Sequence, residues 1–332
     1  MMKNGIYILA NDVVYDQLVA LLNSIELNAG GHFPVCIIPY DDRLDKVRQE
    51  IQTRDNVSLF EDQSCIDRWE NFAREVWQAH PVVKSTWQKN GIFDVYRMGM
   101  HRRFCAFEGI FENFIYLDAD ILVLGSLKPI FHQLSQSDCV VYDFQYKDPA
   151  HVYSVTSEKL LETFTQRRVC SEVFCAGLYG SKRGIFSQEH LDQLLKTLAD
   201  GESELLYSNA PDQTIVNYMM MRSNYSIYNF ALELPSDEST GCCVTSPHFK
   251  EREHLLYDRG NRLTYLHYIG LASSLFSRVC EGEKIDFPYR DIFLHYRYLH
   301  EPDNRPRLQQ SSSSVISRLM QKLKSVRQGI SL

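Results

Sequence analysis

Long apolar runs are missing from this chain. No stretch of about 18 consecutive apolar residues occurs in its 332 residues, so no membrane-spanning helix is expected. Basic charge is in deficit as well. Thirty-five lysines and arginines against 42 acids give a net charge of -7, which excludes the broad basic face of a general nucleic-acid binder. The nine cysteines are scattered, none is spaced C-x-x-C, and Cys242 and Cys243 are adjacent, a poor arrangement for zinc. They are expected to be reduced thiols of a cytoplasmic protein. Met1 to Tyr7 show no basic segment followed by an apolar run and a small-residue cleavage site, so no export leader is expected. Tryptophan is sparse, and Trp69, Trp77 and Trp87 all fall between residues 61 and 90. No internal repeat occurs.

What is present has the patterning of an α/β enzyme. Gly5-Ile-Tyr-Ile-Leu-Ala10 reads as a buried strand, and Leu18, Leu21, Leu22 and Ile25 then recur at helical spacing up to Gly30-Gly31. Val35 to Ile38 reads as a second buried strand, and strand, helix, strand at this spacing predicts a parallel sheet covered by helices. Ile66, Trp69, Ala73, Val76 and Trp77 share one helical face, which predicts a helix packed on the core rather than a sugar-stacking platform. Phe93 to Phe107 reads as helical and carries Arg97, Arg102 and Arg103. Further strands are expected at Phe114–Leu117, Val140–Asp143, Val173–Tyr179 and Leu263–Gly270. Helices are expected from Gln188 to Leu198 and from Asp212 to Met221.

The strand before Asp118-Ala119-Asp120 places two carboxylates at its carboxyl end, where open parallel sheets bind ligands. Two acids there need a compensating positive charge, and a hard divalent cation supplies it through oxygen ligands. The same D-x-D also fits solvated turn aspartates or a helix cap. His267, in a strand-like run three residues before Gly270, is a plausible third ligand; the mixed set would favour Mn2+, with Mg2+ as the alternative. Asp212-Gln213 equally suits the start of a helix.

Together these segments resemble the family 8 glycosyltransferases, the glycogenin-like and bacterial galactosyltransferase-like enzymes of the GT-A fold. Phe114 to Phe131 is similar to their metal-binding segment. Ala10-Asn11 through Tyr15 resembles the loop that grips base and ribose, and Tyr96-Arg97-Met98 the tyrosine-arginine step whose arginine contacts the donor. Phe174-Cys175-Ala176-Gly177 resembles the F-N-A-G strand, Asp212-Gln213 with Asn217 the D-Q-x-x-x-N helix, and His267-Tyr268-x-Gly270 the start of H-x-G-x-x-K-P-W. The resemblance spans residues 5 to about 270.

It implies a Rossmann-like, mixed but mainly parallel sheet flanked by helices. One domain over 1–300 would hold a nucleotide-binding half, 1–125, and an acceptor half, 126–300. Residues 301–332 would be a polar linker and a basic amphipathic helical tail. The implied activity is metal-dependent transfer of a hexose from a nucleotide sugar, UDP-linked, to a glycan or glycolipid, with retention of configuration. Asp120 and His267 would bind the metal, and Asp118 would bridge metal and ribose. Ala10, Asn11, Tyr15, Arg97, Ala176 and Gly270 would hold the donor, while Asp212 and Gln213 would stabilise the reacting sugar.

Three departures stand out. Cys175 replaces the family asparagine, the diphosphate lysine expected near Ser273 or Ser274 is missing, and the tryptophan-bearing insert is not obviously shared. Arg97, Arg102 and Lys250 are candidate substitutes for that lysine. From Leu308 onward the chain has no acid, and residues 311–332 combine Val315, Ile316, Leu319, Met320, Leu323 and Val326 with four basic side chains. That pattern suits an anionic membrane surface, hence a peripheral location at the inner face of a membrane. Two other functions remain open: a catalytically degenerate nucleotide-sugar binder, motivated by the missing lysine, and a haloacid dehalogenase-type phosphatase. Against the latter, Leu122 stands where those enzymes carry threonine or valine.

Overall fold

Apolar runs in the first 120 residues are buried on both faces, which is why they show no polar alternation. In β1 (Met2–Ala10), Ile6 and Ile8 face one core with Val35 and Ile37 of β2 (Val35–Pro39), while Tyr7 and Leu9 face a second core with Cys36 and Ile38. This alternation is the period of a strand. The computed structural model describes residues 2–308; the expected tail over 311–332 lies outside them.

Seven strands form the main sheet: β1, β2, β3 (Val57–Leu59), β4 (Phe111–Asp118), β6 (Cys139–Val141), β7 (Leu178–Lys182) and β8 (Ile227–Asn229), in the order β3-β2-β1-β4-β7-β6-β8. All neighbours run parallel except β7, which is antiparallel to both β4 and β6. The expected mixed, mainly parallel sheet is therefore present, with helices against it. β5 (Ile121–Val123) leaves the sheet just after β4 and pairs antiparallel with β12 (Tyr265–His267). Leu122 of β5 and Leu266 of β12 belong to a third core, which also takes in Phe293 and Tyr296 of the helix Arg290–Arg297. A small antiparallel sheet of β9 (Lys250–Arg252), β10 (Leu255–Asp258) and β11 (Asn261–Arg262) lies beside it. The helix Arg290–Arg297 is fastened to the helix Tyr15–Asn28: Asn23 donates to the Tyr296 carbonyl at 2.7 Å, and Arg297 pairs with Asp16 at 2.7 Å.

The tryptophan-bearing helix, Gln63–Gln78, buries Ile66, Trp69, Ala73, Val76 and Trp77 as its periodicity predicts. Three expectations need correction. Phe93–Phe107 is not one helix but a short turn of helix, Met98–His101, followed by a 3-10 stretch, Arg102–Phe107. Val173 to Gly177 is not strand, because side chains from the helix Pro211–Arg222 bond its backbone. The strand expected over Leu263–Gly270 is confined to Tyr265–His267, and Gly270 lies in the turn beyond it with a left-handed φ of 82°.

Candidate active-site cleft

β4 delivers Asp118 to the carboxyl edge of the sheet, level with Leu9 of β1, so the loop Ala10–Asn11 lies alongside. A cleft of about 910 Å³ opens there. Sheet order sets its layout. Tyr40 and Arg43 follow β2 at one end, Asn11 follows β1, Asp118 lies central, Cys175 and Gly177 precede β7, and Gln145 follows β6 at the other end.

Asp118, Asp120 and His267 converge, with one ligand atom of each within 4.8 Å of the others. Local structure explains this. Pairing of β5 with β12 sets His267 opposite Ile121, and the Tyr268 amide donates to the Asp120 carbonyl at 2.9 Å. Gly177 makes room for the imidazole, since a Cβ there would stand 2.3 Å from His267 Cε1. Two carboxylates and an imidazole in this spacing fit a divalent ion such as Mn2+. Burial pushes the Asp118 carboxyl up, and the Asp120 charge adds to that, against the lowering by Arg103, His267 and the Tyr116 hydroxyl. Burial also acts upward on Asp120, but His267, by charge and hydrogen bond, brings that carboxyl below its ordinary range. For His267 burial opposes protonation, yet Asp120, 3.2 Å from Nε2, raises the imidazole well above its ordinary 6.5.

Behind the acids stands Arg103, 1% exposed. Its guanidinium pairs with Asp118 at 2.9 Å and Asp212 at 3.0 Å, and donates to the carbonyls of Ala176 at 2.8 Å and Met100 at 3.2 Å. It also lies 4.7 Å from the Tyr116 ring centroid, and the Tyr116 hydroxyl donates to Asp118 at 2.7 Å. Burial alone would lower the Arg103 pKa, but the two carboxylates push it further up, so it stays charged. One fixed cation thus joins the D-x-D to the helix Pro211–Arg222, a fork geometry that only arginine supplies.

That helix also builds a cradle. Asn217, fully buried, accepts from the Phe174 amide and donates to its carbonyl, both at 2.9 Å. Gln213 accepts from the Ala176 amide at 3.0 Å and donates to the His151 carbonyl at 2.9 Å. Cys175 is therefore held from both sides. Asp212 does not cap the helix: Ala210 is the cap residue, and Asp212 instead faces Arg103 from the first turn.

Most residues expected from the sequence line the cleft: Ala10, Asn11, Arg97, Asp118, Asp120, Asp212, Gln213, His267 and Gly270. Arg97 does so from a left-handed backbone, φ 54°, a conformation costing roughly 1–2 kcal/mol for a side-chain-bearing residue. Tyr15 is not brought to the cleft. It begins the helix Tyr15–Asn28 turned toward the helix Asp45–Gln52, its hydroxyl donating to Glu50 at 3.0 Å. Ala176 contributes backbone bonds rather than cleft wall. Among the proposed lysine substitutes, Arg102 is spent on Glu70 at 2.7 Å and the Pro39 carbonyl, and Lys250 lies on β9 away from the cleft lining. Arg43, which the sequence did not single out, lines the β2 end of the cleft and pairs with Asp41, itself bonded by Asn11. Asp143, just after β6, is 3% exposed and accepts from the Gln145 amide at 2.8 Å. Neither had a signal beyond its place after a strand.

No protein-family profile and no curated protein matches the chain. Solved structures do match in fold. The LgtC galactosyltransferase, solved with donor and acceptor sugar analogues, is 13% identical with a TM-score of 0.50, over 85% of this chain and 97% of that one. The WbbM bifunctional glycosyltransferase is 14% identical with a TM-score of 0.52, over 92% of this chain and 52% of that one, so this chain spans about half its length. Mouse xyloside xylosyltransferase 1 is 10% identical, over 71% of this chain and 87% of that one, with a TM-score of 0.48. The fold is that of the GT-A glycosyltransferases.

Proposed function

We propose that this chain is a metal-dependent glycosyltransferase that moves a hexose from a nucleotide sugar, UDP-linked, to a glycan or glycolipid acceptor with retention of configuration. The observation that carries the proposal is the convergence of Asp118, Asp120 and His267 at the floor of the cleft of a GT-A fold. A divalent ion held there would stabilise the negative charge that develops on the leaving diphosphate. The chain's own groups do the remaining work. Arg97, which lines the cleft, would offer the cationic contact that the missing lysine would otherwise supply. Asn11, Ala10 and Gly270, which line the cleft, would hold the donor.

Asp212 and Gln213, held in register by Arg103 and the Ala176 amide, would stabilise the reacting sugar as oxocarbenium character develops. LgtC has been solved as a glutamine-to-glutamate active-site variant, which supports a role for an amide of this kind here. The cytoplasm suits nine unpaired cysteines, and among the described residues no helix is long and apolar enough to cross a membrane. The basic stretch 311–332 is assigned to an anionic membrane surface; deleting it should abolish binding to anionic vesicles.

The central test is a panel of nucleotide sugars with Mn2+ or EDTA, reading nucleotide release. Release that depends on Mn2+ and vanishes in Asp120→Ala and His267→Ala is expected. Equal release in EDTA, or in both variants, refutes the assignment. Transfer to no acceptor and no donor hydrolysis across the panel would favour a degenerate binder instead.

A further inference from the structure

We propose that the Cys175 thiol is the positioning residue that fixes which nitrogen of His267 is presented to the metal. The inference rests on the metal site assigned above and concerns a group that this site does not itself include. His267 uses its two ring nitrogens in opposite directions. Nε2 faces Asp120 at 3.2 Å, and Nδ1 faces Cys175 Sγ at 3.9 Å. The sulfur is therefore on the ring edge turned away from the carboxylates, the place where metal-bound histidines keep the hydrogen-bond partner that sets their tautomer and orientation.

Everything else about the pair is fixed by backbone. The His267 amide donates to the Cys242 carbonyl at 2.7 Å and its carbonyl accepts from Val244 at 3.0 Å, so its Cα cannot shift. Cys175 lies between Phe174, bonded at amide and carbonyl by Asn217, and Ala176, bonded by Gln213 and Arg103. Gly177 forms the floor under the ring. With both backbones pinned, rotation of the imidazole is the freedom that remains, and the thiol opposes it by accepting from Nδ1–H. Sulfur is a weak acceptor. The asparagine that Cys175 replaces in the family pattern carries a stronger acceptor on a longer arm.

The experiment is Mn2+ titration calorimetry on the full chain, with metal-free melting as a control, for the parent, Cys175→Ala and Cys175→Asn. Loss of such an outer partner typically weakens metal binding about 10–100-fold. The alanine variant should fall in that range, while the asparagine variant should stay within about threefold of the parent or bind more tightly. Metal-free melting temperatures should agree. A Cys175→Ala protein that binds Mn2+ like the parent overturns the proposal, as does equal weakening in both variants. Co2+ loading supplies a second discriminator: a near-ultraviolet sulfur-to-cobalt charge-transfer band in the parent, absent in Cys175→Ala, would make the thiol a ligand instead. Should the alanine variant fail to fold, Cys175→Val, which keeps the side-chain volume without the sulfur acceptor, takes its place and should show the same weakening of about 10–100-fold. If the parent binds no Mn2+ at all, the metal site itself has failed, an outcome distinct from the others.

Discussion

Replacing Arg103 by methionine tests the link between the D-x-D and the helix Pro211–Arg222. Methionine keeps the volume and removes the charge. The change leaves Asp212, 4% exposed, and Asp118, whose side chain is 19% exposed, without their shared cation at 3.0 and 2.9 Å, and frees the carbonyls of Ala176 and Met100. Breaking one buried pair by deleting a partner costs about 3–5 kcal/mol. Asp118 borders the cleft and can recruit water, so its share is smaller than that of Asp212, and the total should remain in that range rather than double. At roughly 2 °C per kcal/mol for a chain of this size, the melting temperature falls by about 6–10 °C. Calorimetry at neutral pH without metal is the assay. Arg103→Lys, which keeps a charge but not the fork, should lose less. A methionine variant destabilised by less than about 1 kcal/mol would refute the claim that this guanidinium compensates the two acids it bridges.

Three further outcomes follow from the site. Gly177→Ala places a methyl 2.3 Å from His267 Cε1, so Mn2+-dependent thermal stabilisation should be lost while metal-free melting changes little; retained stabilisation would show that the ring can yield. Mn2+ binding must displace the proton from His267 Nε2, and His267 is raised well above 6.5 by Asp120, so affinity should climb with pH through neutrality. Calorimetry in buffers of differing ionisation heat should show release of about one proton per ion, and a pH-independent affinity would argue against His267 as ligand. Asp143, pushed up to about 7 by burial from an ordinary 3.8, favours folding fully below the lower value, and that contribution is lost as pH rises toward the higher one. Asp143→Asn should therefore gain on the parent in stability between about pH 4 and 7, by up to roughly 4 kcal/mol, and a gain that does not vary with pH would sink the assignment.

Much of the fold was legible because local pattern and burial agree in the first half. Ile6 to Ala10, Val35 to Ile38 and Phe114 to Leu117 are continuous apolar runs, and such runs have one good home, a strand covered on both faces. The helical stripe from Ile66 to Trp77 was readable for the same reason. Val173 to Gly177 misled because its composition suits a strand, whereas its backbone partners are side chains of Asn217, Gln213 and Arg103, more than 35 or 70 residues away in sequence. Tyr15 misled because one position along a helix turns a side chain by about 100°, which separates the cleft-lining Val14 from a tyrosine bonded to Glu50.

The sequence by itself therefore determined the strand that ends at Asp118, the D-x-D spacing, and the residue types able to hold a divalent ion. These depend on neighbours along the chain. Only the tertiary structure decided which distant groups complete the site. Pairing of β5 with β12 brings His267 to Asp120, Arg103 rather than Arg97 joins the two acids, and the cradle over Phe174–Gly177 sets a thiol behind the imidazole. Such choices depend on register between strands and on which buried charge finds its partner, and neither is encoded in the spacing of any single motif.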